Sequence, residues 1–177
     1  MAMQVERARP ADLPAIRAAY ADARAKQLAV SSPLWPDFTD SAILAQIAAG
    51  TLHHVVDGDA FVGVFTAIHD DREIWGELER GAHIYLHRIA RSSSYPGGGL
   101  VDAVISWALA RAEALGREGL RMDTWASNHV LRDYYGKRGF ALVEVRRIAG
   151  DSPLPANYRG NSFALLERSL KEMPERQ

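Results

Sequence analysis

Three adjacent glycines in Pro96-Gly97-Gly98-Gly99, followed by an apolar helical pattern from Leu100, stand out in this sequence for the chemistry they can do. Glycines admit positive φ and let a ligand approach the main chain closely. The first N–H groups of a helix have no intrahelical partner. Together with the helix dipole they attract an anion, and a pyrophosphate is the natural guest. Taken alone, the glycines beside Ser92-Ser93-Ser94 fit a plain surface loop equally well. A Walker A loop is excluded, because no Gly-Lys-Ser or Gly-Lys-Thr follows. A dinucleotide fingerprint is excluded as well, because Gly-x-Gly-x-x-Gly is not supplied in an early βαβ unit.

A second group lies downstream: Asp123-Thr124-Trp125-Ala126-Ser127-Asn128, then Tyr134-Tyr135 and Gly139-Phe140. Tyr135 follows Asn128 by about two helical turns, so both address one side of a helix. Tyr134 is rotated by about 100° from Tyr135 and is the better candidate for the core. Asp123 and Trp125 share one face of a strand. His53 and His54 are strand neighbours that point opposite ways, and the other histidines lack ligand spacing, so no metal is expected.

These residues need elements to hold them. Residues 4–8 read as a short strand ended by Pro10, and Asp12 as the N-cap of a helix over 15–29 that Ser31-Ser32-Pro33 breaks. Thr39 or Asp40 caps a helix over 41–49, closed by Gly50. A hairpin follows, 52–56 and 60–68 about an Asp57-Gly58-Asp59 turn. Residues 69–81 read as irregular, 82–91 as a strand and 100–115 as an amphipathic helix. A strand over 120–126, a helix over 128–137, strands over 140–148 and 162–170 and a polar tail over 171–177 complete the chain. The expected class is mixed α/β (α+β), with about seven strands in a largely antiparallel sheet and about four helices.

The 177 residues suit one domain, expected over 1–170. A net charge of -1 gives no basic excess to hold a polyanion, so nucleic acid is not an expected partner. With no cysteine, disulfides, thiolate zinc sites and a cysteine nucleophile are excluded. No apolar run has the length of a signal peptide or a membrane span, which reads as a soluble cytoplasmic protein.

Leu86-His87-Arg88-Ile89-Ala90-Arg91, the glycine turn, and Asn128 through Tyr135 to Gly139-Phe140 resemble the GNAT N-acetyltransferase superfamily. The order of strands and helices resembles that acyl-CoA N-acyltransferase fold too. Two positions depart from the family's turn. Pro96 stands where Arg or Gln is usual, and Val101 replaces a small residue.

The resemblance implies transfer of the acetyl group of acetyl-CoA to an amine acceptor, by direct attack in a ternary complex. It implies that strands 84–91 and 120–126 part at their ends, so that pantetheine pairs with the backbone of Ile89 and Arg91 beside Ala90. A backbone N–H there would stabilise the oxyanion. Pro96, Gly97, Gly98, Gly99, Leu100 and Val101 would cradle the pyrophosphate. Asn128 would bond the pantetheine or cap its helix, and Arg132, Lys137, Arg138 and Arg91 are candidates for the CoA phosphates. Tyr135 is the candidate general acid for the departing thiolate, since a phenol keeps its proton at neutral pH. His87 is the candidate base, with Glu73, Glu77 and Glu79 as rivals. Trp35, Phe38 and Trp75 are candidates to line the acceptor pocket, Asp123 to hold a cationic amine, and Trp125 shares its face. A homodimer is compatible with the resemblance. Two other readings stay open: an acyl-CoA-binding sensor without catalysis, and a nucleotide-binding module.

Overall fold

The computed structural model describes residues 2–30 and 32–170. Ser31 and the tail expected over 171–177 lie outside the described residues. The elements in chain order are β1 (Gln4–Arg7), α1 (Leu13–Ala29), α2 (Asp40–Ala48), β2 (Leu52–Asp57), β3 (Ala60–Ile68), α3 (Arg72–Trp75), β4 (His83–Arg91), α4 (Leu100–Ala114), β5 (Gly119–Trp125), α5 (His129–Gly136), β6 (Ala141–Arg147) and β7 (Ser162–Ser169). The strands form one mostly antiparallel sheet in the order β1-β2-β3-β4-β5-β7-β6.

Chain contacts divide the molecule into two units. One comprises Met1–Ala67 and His87–Trp107, the other Ile68–Leu86 and Ala108–Gln177. In the first, β1 pairs antiparallel with β2 and β2 with β3. Ile16, Ala19 and Tyr20 of α1 and Ile43 of α2 bury against Leu52 and Val64. The spacing of the α1 residues places one helix stripe inward. Burying a side chain as completely as Ile16 stabilises by roughly 1.5–3 kcal/mol. In the second unit, β5 pairs antiparallel with β7 along its whole length, and β7 with β6. Trp75, Tyr85, Phe163 and Leu165 form its apolar centre. β4 runs parallel to β5 from His83 to Tyr85.

Two local expectations need correction. Asp12 holds the N-cap position of α1 as expected, but its side chain makes no cap bond, and a 3-10 turn over Pro10–Asp12 precedes the helix. The Asp12 carboxylate instead accepts the Arg9 N–H at 2.7 Å. Residues 69–81 are not wholly irregular. The Ile74 and Trp75 amides both donate to the Asp71 carbonyl, closing the helical turn α3 and burying both side chains. Four residues are too few to show a helical period. Thr39 does cap α2, accepting the Ala42 N–H at 3.2 Å.

Candidate active site

In the first unit, β4 leads into the glycine turn at a place where backbones crowd. A Cβ on Gly63 of β3 would stand 2.5 Å from the Ala90 carbonyl oxygen and 2.7 Å from a Leu100 methyl. Only glycine lets β3 pass so close to the end of β4 and the start of α4. The Ser92 N–H donates to the Val62 carbonyl at 3.0 Å across the same crossing. The turn is then braced from three directions. The Arg91 guanidinium donates to the Gly97 carbonyl at 2.7 Å. The Tyr95 hydroxyl donates to Asp57 at 2.9 Å, and its ring lies against Gly97. The Ser93 N–H donates to the Asp22 carboxylate at 2.7 Å. The Ser93 backbone and hydroxyl hold that carboxyl below its usual range.

Gly99 has φ +90, in the region that L side chains rarely adopt. Its carbonyl accepts the Ala103 N–H at 2.9 Å, the first bond of α4. The amides of residues 100–102 therefore point forward without intrahelical partners. Pro96, Gly98 and Gly99 are exposed, Gly97 and Val101 half-buried, and Leu100 buried. Ile89 and His87 are half-buried in β4, Ala90 is buried and Arg91 exposed. Trp35 and Phe38 lie half-buried on Tyr20, with ring centroids at 6.3 Å and 4.9 Å.

In the second unit, Asn128 caps α5, its side-chain oxygen accepting the Leu131 N–H at 3.0 Å. Arg132 donates to the Ala126 carbonyl at 3.3 Å, which ties the helix to the end of β5. Tyr135 is the buried tyrosine of the pair, edge-on to Phe140 with centroids 5.7 Å apart. Burial holds its phenol well above the ordinary value; Tyr134 adds to this and Arg138 opposes it. The expectation that Tyr134 is the core residue is thus corrected. Tyr134 is exposed and carries the Arg138 guanidinium 3.7 Å above its ring. Leu131 and Tyr135 take the inward face at a spacing of four, while Val130 and Tyr134 take the outward one.

Trp75 has no exposed surface and packs against Tyr85 at 5.7 Å. Asp123 and Trp125 are half-buried in β5, and Trp125 stacks on Phe163 at 4.7 Å. Around Trp75 lies a buried polar network absent from the sequence-based expectations. The Arg121 guanidinium stands 4.3 Å above the Trp75 ring and donates to Glu167 at 2.8 Å, to the Leu78 carbonyl at 2.8 Å and to the Tyr85 hydroxyl at 3.2 Å. Burial penalises the Glu79 charge, but donation by Tyr85, by the Gly81 and Asp71 amides and the field of Arg121 outweigh this and hold its pKa low. So many donors weaken Glu79 as a base. Glu73 and Glu77 are exposed.

The first unit thus gathers Trp35, Phe38, Ile89, Ala90, Arg91 and residues 96–101, while the second gathers Trp75, Asp123, Trp125, Asn128, Arg132 and Tyr135. The sequence reading missed Arg88. It is the non-glycine residue with positive φ among the described residues, at +53. Its place between His87 and Ile89, two residues that the sequence reading did single out, was the signal available.

Comparison with known proteins adds to this geometry. An uncharacterised N-acetyltransferase of Bacillus subtilis (strain 168), YesJ, is 33% identical over 73 residues, which span 41% of this chain and 41% of that protein's length. Among solved structures, a GNAT-family acetyltransferase from Listeria monocytogenes superposes with a TM-score of 0.72 at 20% identity, covering 95% of each chain. The yncA protein of Salmonella typhimurium, solved with its cofactor acetyl-CoA, superposes with a TM-score of 0.63 at 13% identity, covering 100% of this chain and 99% of that one. At these identities the structures establish the acyl-CoA N-acyltransferase fold. Among the described residues no helix is long and apolar enough to cross a membrane. The sequence profile of the acetyltransferase (GNAT) family matches residues 16–140, from α1 to the residue before β6. A match over that much of the chain makes it a member of the GNAT acetyltransferase family.

Proposed function

We propose that this chain is an N-acetyltransferase that moves the acetyl group of acetyl-CoA to a primary amine of a small molecule or protein, within one domain over 1–170 in the cytoplasm. The observation that carries the reading is Gly99, whose positive φ and capping carbonyl leave the first amides of α4 open for a diphosphate. The yncA relative, solved with acetyl-CoA, supports the choice of co-substrate.

In this reading the amine lone pair attacks the thioester carbonyl carbon and a C–N bond forms. A backbone N–H near Ile89 holds the oxyanion. The intermediate collapses, the C–S bond breaks, and Tyr135 gives its proton to the thiolate. His87 takes the proton of the attacking amine, directly or through water. Holding amine and thioester together supplies much of the acceleration.

A second reading, a non-catalytic acyl-CoA sensor, is favoured by Pro96, which is exposed at the turn and offers no side-chain donor to a phosphate. Tyr135→Phe separates the two. An enzyme loses about 10²-fold or more in turnover while acetyl-CoA affinity holds, as read by thiol release and calorimetry. If no amine in a broad library releases thiol from acetyl-CoA with the wild-type protein, the sensor reading stands instead.

A further inference from the structure

Arg88 combines three unusual properties, all within the first unit. Its backbone sits at φ +53 inside a strand, a conformation that persists only when its surroundings enforce it and that gathers at functional sites. Its guanidinium carbon stands 4.6 Å from the centre of the Phe38 ring. Among the described residues no carboxylate lies within ion-pair reach of it. Nearby cations are already engaged: Arg17 bonds Asp40 at 2.8 Å, and Arg24 donates to the Trp35 carbonyl.

Tyr20 adds the second half of the pattern. Only 4% of it is exposed, and its hydroxyl has no hydrogen-bond partner. Burial raises its pKa, opposed by the Arg88 charge and by the Thr66 hydroxyl. Thr66 is near enough to act electrostatically, yet it does not meet hydrogen-bond geometry, and its own Oγ1 is buried and unpaired too. A buried phenol donor without an acceptor is costly, and so is a half-buried guanidinium without an anion. Both are satisfied by one ligand that is anionic and accepts hydrogen bonds. Tyr20 and Phe38, the residues that Arg88 acts on, also line a cleft of about 260 Å³ with Arg17, Arg24, Asp37 and Ile43.

We propose that Arg88 is a specificity residue that selects acceptor amines carrying a carboxylate, with the Tyr20 hydroxyl as second donor and Phe38 and Trp35 as an aromatic wall for the acceptor's apolar body. The inference rests on the acetyltransferase reading above. A carboxylate fits better than a phosphate: the planar guanidinium fork matches two carboxylate oxygens, and a single free cation neutralises a single negative charge. Arg88 also lies between His87 and Ile89, the residues assigned to the amine proton and the thioester. An acceptor gripped by Arg88 is therefore held beside the strand where acetyl transfer is proposed. Trp35 is fixed for its part, its N–H donating to the Gln27 side chain at 2.9 Å.

The test uses matched amines: phenylalanine against phenylalaninamide, and leucine against leucinamide, each with acetyl-CoA and thiol release as the readout. The wild-type protein should prefer each carboxylate over its amide by about 10- to 100-fold in kcat/KM, the range of a hydrogen-bonded charge. Arg88→Met should raise KM for the carboxylates by a similar factor and bring the ratio near one, with acetyl-CoA affinity unchanged. Arg88→Lys should restore part of the preference, which a purely structural role would not do. Tyr20→Phe gives an independent arm and should reduce the ratio by a smaller factor. Equal or better turnover of the amides, or a ratio untouched by Arg88→Met, overturns the proposal while leaving acetyl transfer standing. If no amine turns over, calorimetry of the same amino acids decides: binding lost in Arg88→Met retains the carboxylate site and overturns only the acetyltransferase reading, and absence of binding overturns the site as well.

Discussion

The Tyr95 hydroxyl donates to the Asp57 carboxylate at 2.9 Å, joining the glycine turn to the end of β2. The same ring covers Gly97, so Tyr95 sets both the position and the floor of the turn. Tyr95→Phe keeps the ring and removes the tether. Acetyl-CoA affinity should fall a few-fold, measured by calorimetry, with no change in the folded state by circular dichroism. An unchanged affinity would show that Arg91 and Ser93 brace the turn without it.

Gly98 and Gly99 make opposite predictions although they are neighbours. A Cβ on Gly98 meets open space and its φ is unremarkable, whereas Gly99 sits at φ +90. Gly99→Ala should cost about 1–3 kcal/mol in strain or force the turn to rearrange. Its acetyl-CoA affinity should drop at least tenfold, while Gly98→Ala stays close to wild type. Equal losses in both would mean that side-chain bulk at the ligand, and not backbone conformation, governs the turn.

Tyr135 carries a pH prediction. Its phenol is raised above the ordinary 10.0 first by burial, then by Tyr134, against Arg138. A group raised in the folded state keeps its proton past the unfolded value. Turnover should therefore show no alkaline decline from Tyr135 up to about pH 10, the ordinary phenol value. A kcat that halves near pH 8 in the wild type, but not in Tyr135→Phe, would contradict the raised phenol.

The network around Arg121 predicts how stability responds to acid. His83 is held below 6.5 by burial and then by Arg121, against the opposing pull of Glu167. The unfolded chain therefore takes up a proton that the folded chain resists, and stability falls as pH drops below 6.5. Glu79 lies below its ordinary 4.5, so its contribution is present above that value and is lost as pH falls through the depressed one. Urea unfolding against pH should show both declines, and His83→Gln should remove the upper one. Arg121→Met, which leaves the Glu79 and Glu167 carboxylates short of a partner, should cost about 3 kcal/mol at pH 7. A variant with wild-type urea midpoint would refute that account.

Features written within a few residues of chain were legible in the sequence. The glycine turn ahead of α4, the Asn128 cap, the Thr39 cap and the β2–β3 hairpin follow from local rules of φ and side-chain bonding. The sequence resemblance also pointed to the family that the profile match establishes. What stayed hidden depends on residues far apart in the chain. Arg88 meets Phe38 and Tyr20 only once α1 has packed. Arg121 finds Leu78 across 43 positions and Glu167 across 46. The inversion of Tyr134 and Tyr135 has the same origin, since one helix turn cannot say which of two aromatic faces the sheet will cover.

The left-handed backbone at Arg88 has an evolutionary edge. Glycine at this position would relax the main chain, while alanine would keep the tension and discard only the guanidinium. If Arg88 selects the acceptor as proposed, heat tolerance and discrimination between acceptors meet in a single codon. Populations selected in the laboratory for thermal survival alone would drift toward glycine there, and they would emerge sturdier and less choosy.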